Sequence, residues 1–206
     1  ATDQKFRVTV DRAIETLERR FQDNVNILLG IKGLFAASGT VGRDEFQRYL
    51  AELEIERRFP GLRLISYAHR VQRSQRDEFE RSVREDRSVT PLGYPAFAIR
   101  PEGEREEYLV LTYLNPRLGN QRVFGFDLLS DASRRADLES VRDAGHPGAS
   151  PPLRLASNPE RRSAFVVRVP IYRIGVPIAS VAERRAAFQG MVAAVIGGED
   201  AAHQLL

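Results

Sequence analysis

The chain contains no cysteine. That absence excludes disulfides, thiol nucleophiles and cysteine-held zinc or iron–sulfur sites, and it leaves the redox compartment open. Lysine is scarce as well: Lys5 and Lys32 stand alone, so arginine carries almost all of the positive charge. No run approaches the roughly 18 to 20 apolar residues that cross a bilayer, and no segment has the form of a signal peptide. A glycine-rich phosphate loop, His-Glu-x-x-His and Gly-x-Ser-x-Gly are all missing. His69, His146 and His203 fall far apart in sequence, and without cysteine a metal site would need carboxylates gathered by the fold. Acid pairs such as Glu52 with Glu54, or Glu106 with Glu107, read as surface charge. The residues therefore give no support to catalysis by this fragment, to a metal or to a cofactor.

What is present suits a packed globule. With 206 residues and 42% hydrophobic side chains, the chain can form one large domain or two small ones sharing a helix. Its net charge of +3 is small beside 31 basic and 28 acidic side chains, so a pI of about 9.5 overstates any attraction to nucleic acid. Arginine pairs such as Arg57-Arg58, Arg134-Arg135, Arg161-Arg162 and Arg184-Arg185 are scattered among acids rather than gathered in one stripe. No nucleic-acid partner is expected.

From about Thr2 to Ala37 the spacing predicts one long helix. Val10, Ile14, Leu17, Phe21, Leu28, Ile31 and Phe35, with Asn24 in the gap, advance in alternating steps of 4 and 3, which keeps one stripe on one face, as in a coiled-coil seam. Over its second half, where Val25, Ile27 and Leu29 widen the stripe, the expected cover is the chain's own sheet. Over the first half it is a second copy of the chain, with Asn24 either fixing register or facing solvent.

Gly39 and Gly42 break this pattern, and a second helix begins at Asp44-Glu45-Phe46 with Phe46, Tyr49, Leu50 and Leu53 on one face. Pro60-Gly61 ends it. A strand follows over Leu62 to Val71, with Leu64, Ser66 and Ala68 on one side and Ile65 and Tyr67 on the other, then a short helix over Arg76 to Asp86. Strands are expected at Ala96–Ile99, Tyr108–Tyr113 and Ala164–Tyr172, with a helix over about Ser133 to Ala144 that Gly145 and Pro147 end. Phe188 to Ile196 is apolar enough for a strand or a buried helix. Together these elements argue for an α+β fold with an antiparallel sheet.

Several of these segments resemble one family. Phe46-x-x-Tyr49 running into Arg58-Phe59-Pro60-Gly61 and a strand ending Arg70-Val71 is similar to the helix, turn and strand of CHASE domains, the extracytoplasmic ligand-binding regions of membrane receptors. Arg105-Glu106-Glu107-Tyr108-Leu109-Val110, Gly125-Phe126-Asp127, Arg134-Arg135 with Ala144-Gly145, Leu153-Arg154-Leu155 and Val169-Pro170-Ile171-Tyr172 resemble its later motifs, in order, over roughly residues 40 to 206.

The resemblance implies a long N-terminal helix followed by two PAS-like modules with antiparallel sheets, a homodimer, and placement outside the cytoplasm. Membrane segments and a histidine kinase or diguanylate cyclase output would lie outside these residues. In the plant cytokinin receptors of the family the aspartate at the position of Asp127 contacts an adenine ring, so a small molecule, an adenine derivative among the candidates, is the implied partner. An ionised Asp127 can accept a proton from the ring's amino group; a bidentate contact would need a protonated Asp127 or a ring tautomer bearing N–H. Two alternatives stand beside this contact: Asp127 as a cap on the turn into the helix after it, or paired with Arg134. Tyr113, Phe124, Val169 and Tyr172 are the implied cavity walls. Ala149 replaces a larger apolar residue of the plant pattern, and Gly190 and Met191 open its glycine-rich and aromatic last strand, so the pocket's shape must differ. A module for constitutive dimerisation or protein interaction, with ordinary core in place of the pocket, is the alternative.

Overall fold

A computed structural model describes residues 2–59, 61–150, 153–154 and 163–197. Pro60, Leu155 and His203, and the side chains of Val10, Ile14 and Leu17 on which the first half of the seam rests, lie outside the described residues. Helix α1 spans Thr2–Ser38, α2 Arg43–Glu52 and α3 Ile55–Arg58. Strand β1 (Leu62–Gln72) leads into α4 (Arg76–Glu85), and β2 (Glu107–Asn115) is followed by α5 (Ala132–Ala144). Short β3 (Gly148–Ala149) and β4 (Leu153–Arg154), then β5 (Ser163–Tyr172), α6 (Val181–Ala187) and β6 (Phe188–Gly197) complete the order. Phe188 to Ile196 is thus a strand.

All pairings between named strands are antiparallel, in the order β2-β1-β6-β5-β3 with β4 also on β5. Two modules would divide the strands between two sheets, but the described strands join one. The reason is that the last strand, β6, inserts between β1 and β5 and binds both halves of the chain into a single hydrogen-bonded layer. The strand expected at Ala96–Ile99 is also absent. There the backbone is held by α4 side chains instead: Ile99 N–H donates to Glu80 Oε1 (3.0 Å), and the Phe97 carbonyl accepts from Arg84 Nε (2.8 Å).

The pleat sorts residues between the two faces of the sheet. On one face, Ile65, Tyr67, Val167, Val169, Ile171, Val192 and Ala194 pack against Leu28, Ile31 and Phe35 of α1 and Phe46 and Leu50 of α2. Leu64, Ala68, Val166, Met191, Ala193 and Val195 face the other way, toward Leu138 and Val141 of α5. The second half of the α1 stripe therefore packs on the chain's own sheet. Phe21, earlier in the same stripe, is 42% exposed. A third cluster joins Val83 of α4 to Tyr94, Phe97, Ile99, Tyr108 and Val110. Arg58-Phe59 and Gly61 act as a joint: Leu62 N–H donates to the Phe59 carbonyl (2.9 Å), and Gly197 N–H reaches the Gly61 carbonyl (3.2 Å).

The pairing of β1 with β2 contains one irregularity. Tyr67 pairs with Tyr113 but Ala68 with Leu111, so Thr112 is an extra residue in β2, a β-bulge. Two residues apart, Leu111 and Tyr113 would share a face in a regular strand. Across the bulge, Leu111 joins the α5 face and Tyr113 the α1 face.

Candidate functional site

Asp127 is threaded into the molecule by its backbone. Its N–H donates to the Arg100 carbonyl (2.7 Å), while Leu111 exchanges hydrogen bonds with Gly125 and Phe126 on either side of the bridge between Val110 and Asp127. Gly125 makes this path accessible, because its φ is 84° and an added Cβ would stand 2.4 Å from the Ala98 carbonyl oxygen. At the end of that path the carboxylate of Asp127 is 0% exposed. Oδ1 accepts from the N–H groups of Leu109 (2.9 Å) and Leu129 (3.0 Å), the latter capping the 3₁₀ turn Leu128–Ser130.

Among the described residues Oδ2 has no hydrogen-bond partner, and Arg105 Nε, 3.6 Å away, is its ion-pair partner. Burial pushes the Asp127 pKa up, against the opposing pull of the Leu109 and Leu129 N–H groups and Arg105. Of the two local alternatives, the cap holds: Asp127 caps the 3₁₀ turn that leads into α5, whose own cap is Asp131. The pairing with Arg134 does not, because Arg134 pairs with Asp131 (3.1 Å) instead.

The other residues named from the sequence divide around the sheet. Met191 and Tyr172, with Phe124 against them, share the apolar layer of Leu109, Leu111 and Leu129 that adjoins Asp127. Tyr113 and Val169 lie on the opposite face, beneath α1. Ala149 is exposed on the short β3, opposite Val167. Gly190 lies beneath Tyr67. On the Asp127 face the cavity between Leu109, Leu129, Leu138 and Phe188 holds about 10 Å³, and Asp127 is not in its wall.

A larger cavity, about 660 Å³, opens on the α1 face at the end of the sheet, where Phe35 and Gly39 meet Tyr67, His69 and Arg173. The sequence names His69 only as a histidine too isolated for a metal site, because lone histidines carry little signal; its spacing of two from Tyr67 on a strand is the available clue to this cavity. The two rings stand 4.5 Å apart, and His69 lies 5.0 Å from the Tyr113 ring. Behind them Arg43, buried despite its charge, donates Nε to Asp86 (2.9 Å) and Nη1 to the Thr112 carbonyl that the bulge frees. Its guanidinium stacks 4.6 Å from Tyr94, 4.9 Å from Tyr113 and 5.5 Å from Phe124.

Among the described residues no cluster of three or more histidines, aspartates or glutamates could hold a metal, and no helix is long and apolar enough to cross a membrane. A family model described as CHASE domain matches residues 39–206. No curated protein matches the chain.

Proposed function

The chain belongs to the CHASE domain family, whose members are extracytoplasmic sensory domains of signalling receptors, and on that premise we propose that it binds a small molecule through Asp127. The observation that carries this reading is the buried Oδ2, which has no hydrogen-bond partner among the described residues. A polar atom withdrawn from water and left unmade costs free energy that a ligand N–H would recover. An adenine derivative suits this atom: its amino group donates to the carboxylate, and a carboxyl whose pKa is raised can hold a proton for a ring nitrogen. Phe124, Tyr172 and Met191 supply apolar contacts in the same layer.

Space for such a ligand requires the layer between β2 and α5 to open, since the cavity there is about 10 Å³. Binding would therefore select an arrangement with α5 and the Leu128–Ser130 turn displaced from the sheet. The shift can be no larger than the ligand's preference for the opened state. The sheet with its flanking helices is read as PAS-like. Membrane segments and a histidine kinase or diguanylate cyclase output outside these residues would receive the signal. A homodimer along the first half of α1 completes the proposal: Phe21 leaves the sheet's cover while remaining on the apolar stripe, as a residue awaiting a partner helix does.

A thermal-shift titration with adenine and N6-alkyladenines tests the ligand. The wild type is expected to gain stability with ligand concentration and Asp127→Asn to gain little; a wild type that responds to none of these compounds refutes the adenine assignment.

A further inference from the structure

We propose that the cavity of about 660 Å³ on the α1 face is a second ligand site, separate from Asp127, for an aromatic carboxylate that also bears a hydroxyl donor. Three features of its wall specify that chemistry.

First, among the described residues the wall contains two guanidinium groups, Arg70 and Arg173, and no carboxylate. Arg70 is anchored by Glu107 (2.7 Å) and by the Arg185 and Phe188 carbonyls. Arg173 donates one N–H to the Ala186 carbonyl (3.2 Å) and keeps its other donors for an occupant. An adjoining cavity of about 210 Å³ shares Phe35 and Arg173 and adds Lys32. That ammonium has no ion-pair partner among the described residues, and burial lowers its pKa, a penalty that a neighbouring anion offsets.

Second, two polar groups of the wall lack partners among the described residues. His69 Nδ1 stands 2.5 Å from Thr112 Oγ1, whose hydroxyl also reaches the Tyr67 carbonyl (3.5 Å); with the hydroxyl proton given to that carbonyl, Nδ1 carries the ring proton. Nε2 is then an unpartnered acceptor in a ring that burial, then Arg43, keeps neutral down to about pH 3. The Tyr67 hydroxyl has no hydrogen-bond partner either, although its ring is buried. A neutral acceptor calls for a donor on the occupant, which a carboxylate alone does not provide.

Third, Phe35, Tyr67, Tyr113 and Phe188 give the cavity aromatic sides against which a planar ring can stack. Its volume falls in the range of about 300 to 1,000 Å³ that small-molecule sites occupy. An occupant here touches Phe35, Gly39 and Thr40 at the end of α1, across the sheet from α5. It would act on the long helix directly.

Isothermal titration of the 206-residue chain with 4-hydroxybenzoate, benzoate and 4-hydroxybenzamide tests the proposal. 4-Hydroxybenzoate is expected to bind saturably and more tightly than either of the others. Arg173→Gln, at an exposed position that does not endanger folding, and His69→Phe should each weaken it about tenfold. Absence of saturable binding, equal binding of 4-hydroxybenzamide, or unchanged affinity in Arg173→Gln overturns it. Loss of 4-hydroxybenzoate binding in Asp127→Asn would assign the probe to the other face and also overturn it. Failure of adenine compounds to bind leaves this test unaffected, which keeps the two sites distinguishable.

Discussion

Gly190 and Tyr67 meet across the central strand pair: a Cβ built on Gly190 would lie 2.5 Å from the Tyr67 hydroxyl oxygen and 2.3 Å from the Ala68 carbonyl oxygen. The second contact involves backbone, so it cannot be relieved by a rotamer change. Gly190→Ala should push β6 from β1 and lift the tyrosine ring. We expect a destabilisation of about 1 to 3 kcal/mol, as for other overpacked cores, read from the urea midpoint at unchanged m value. A midpoint equal to the wild type's would show that the strands part without cost.

Asp127 serves the fold whatever it binds. Asp127→Ala deprives the buried Leu109 and Leu129 N–H groups of their acceptor, and about 2 to 4 kcal/mol should be lost. Asp127→Asn retains an acceptor oxygen and removes a buried charge whose pKa is raised, so it should cost much less at neutral pH. Chemical denaturation of the two variants side by side decides this; equal losses would mean that the two N–H bonds contribute little.

Arg43 is a buried cation with Asp86, the Thr112 carbonyl and three aromatic rings around it. Arg43→Met keeps most of the stem and removes every polar contact, with an expected loss of about 3 kcal/mol. Arg43→Lys should restore little, because an ammonium neither stacks on rings nor donates along two fixed directions. Recovery of wild-type stability in the lysine variant would contradict this account.

His69 gives the protein an acid dependence of definite sign. Folded, its pKa is held down at about 3; unfolded, it titrates near about 6.5. Between these values the unfolded chain binds more protons, so stability is fully present above about pH 6.5 and falls as pH drops. The slope approaches about 1.4 kcal/mol per pH unit. Urea titrations across this window should show that slope reduced in His69→Gln, and parallel curves for the two proteins would rule it out.

Much of the fold could be read from local pattern. The alternation in β1 placed Leu64 and Ala68 opposite Ile65 and Tyr67, as found, because the pleat leaves no other choice once a strand forms. Helices α4 and α5 followed from their apolar faces and, for α5, from Gly145, which holds the left-handed cap at φ 77°. Helix α6 was missed although its signature was present: Ser180 and Glu183 form a capping box, with Ser180 N–H on Glu183 Oε2 (2.8 Å) and Glu183 N–H on Ser180 Oγ (3.2 Å). Ala96–Ile99 misled in the opposite direction, since β-prone residues there have their backbone satisfied by Glu80 and Arg84.

The sequence by itself determined the family, through short motifs kept in order, and the α+β class, through periodicities of about 2 and 3.6 residues. Only the tertiary structure decided which named residues share a face. The bulge at Thr112 turns Tyr113 away from Leu111 and toward α1, separating it from the layer that adjoins Asp127. The same bulge frees the Thr112 carbonyl for Arg43 and sets its hydroxyl against His69. A bulge is a property of the pairing between two strands more than thirty residues apart in sequence, so no pattern within either strand records it.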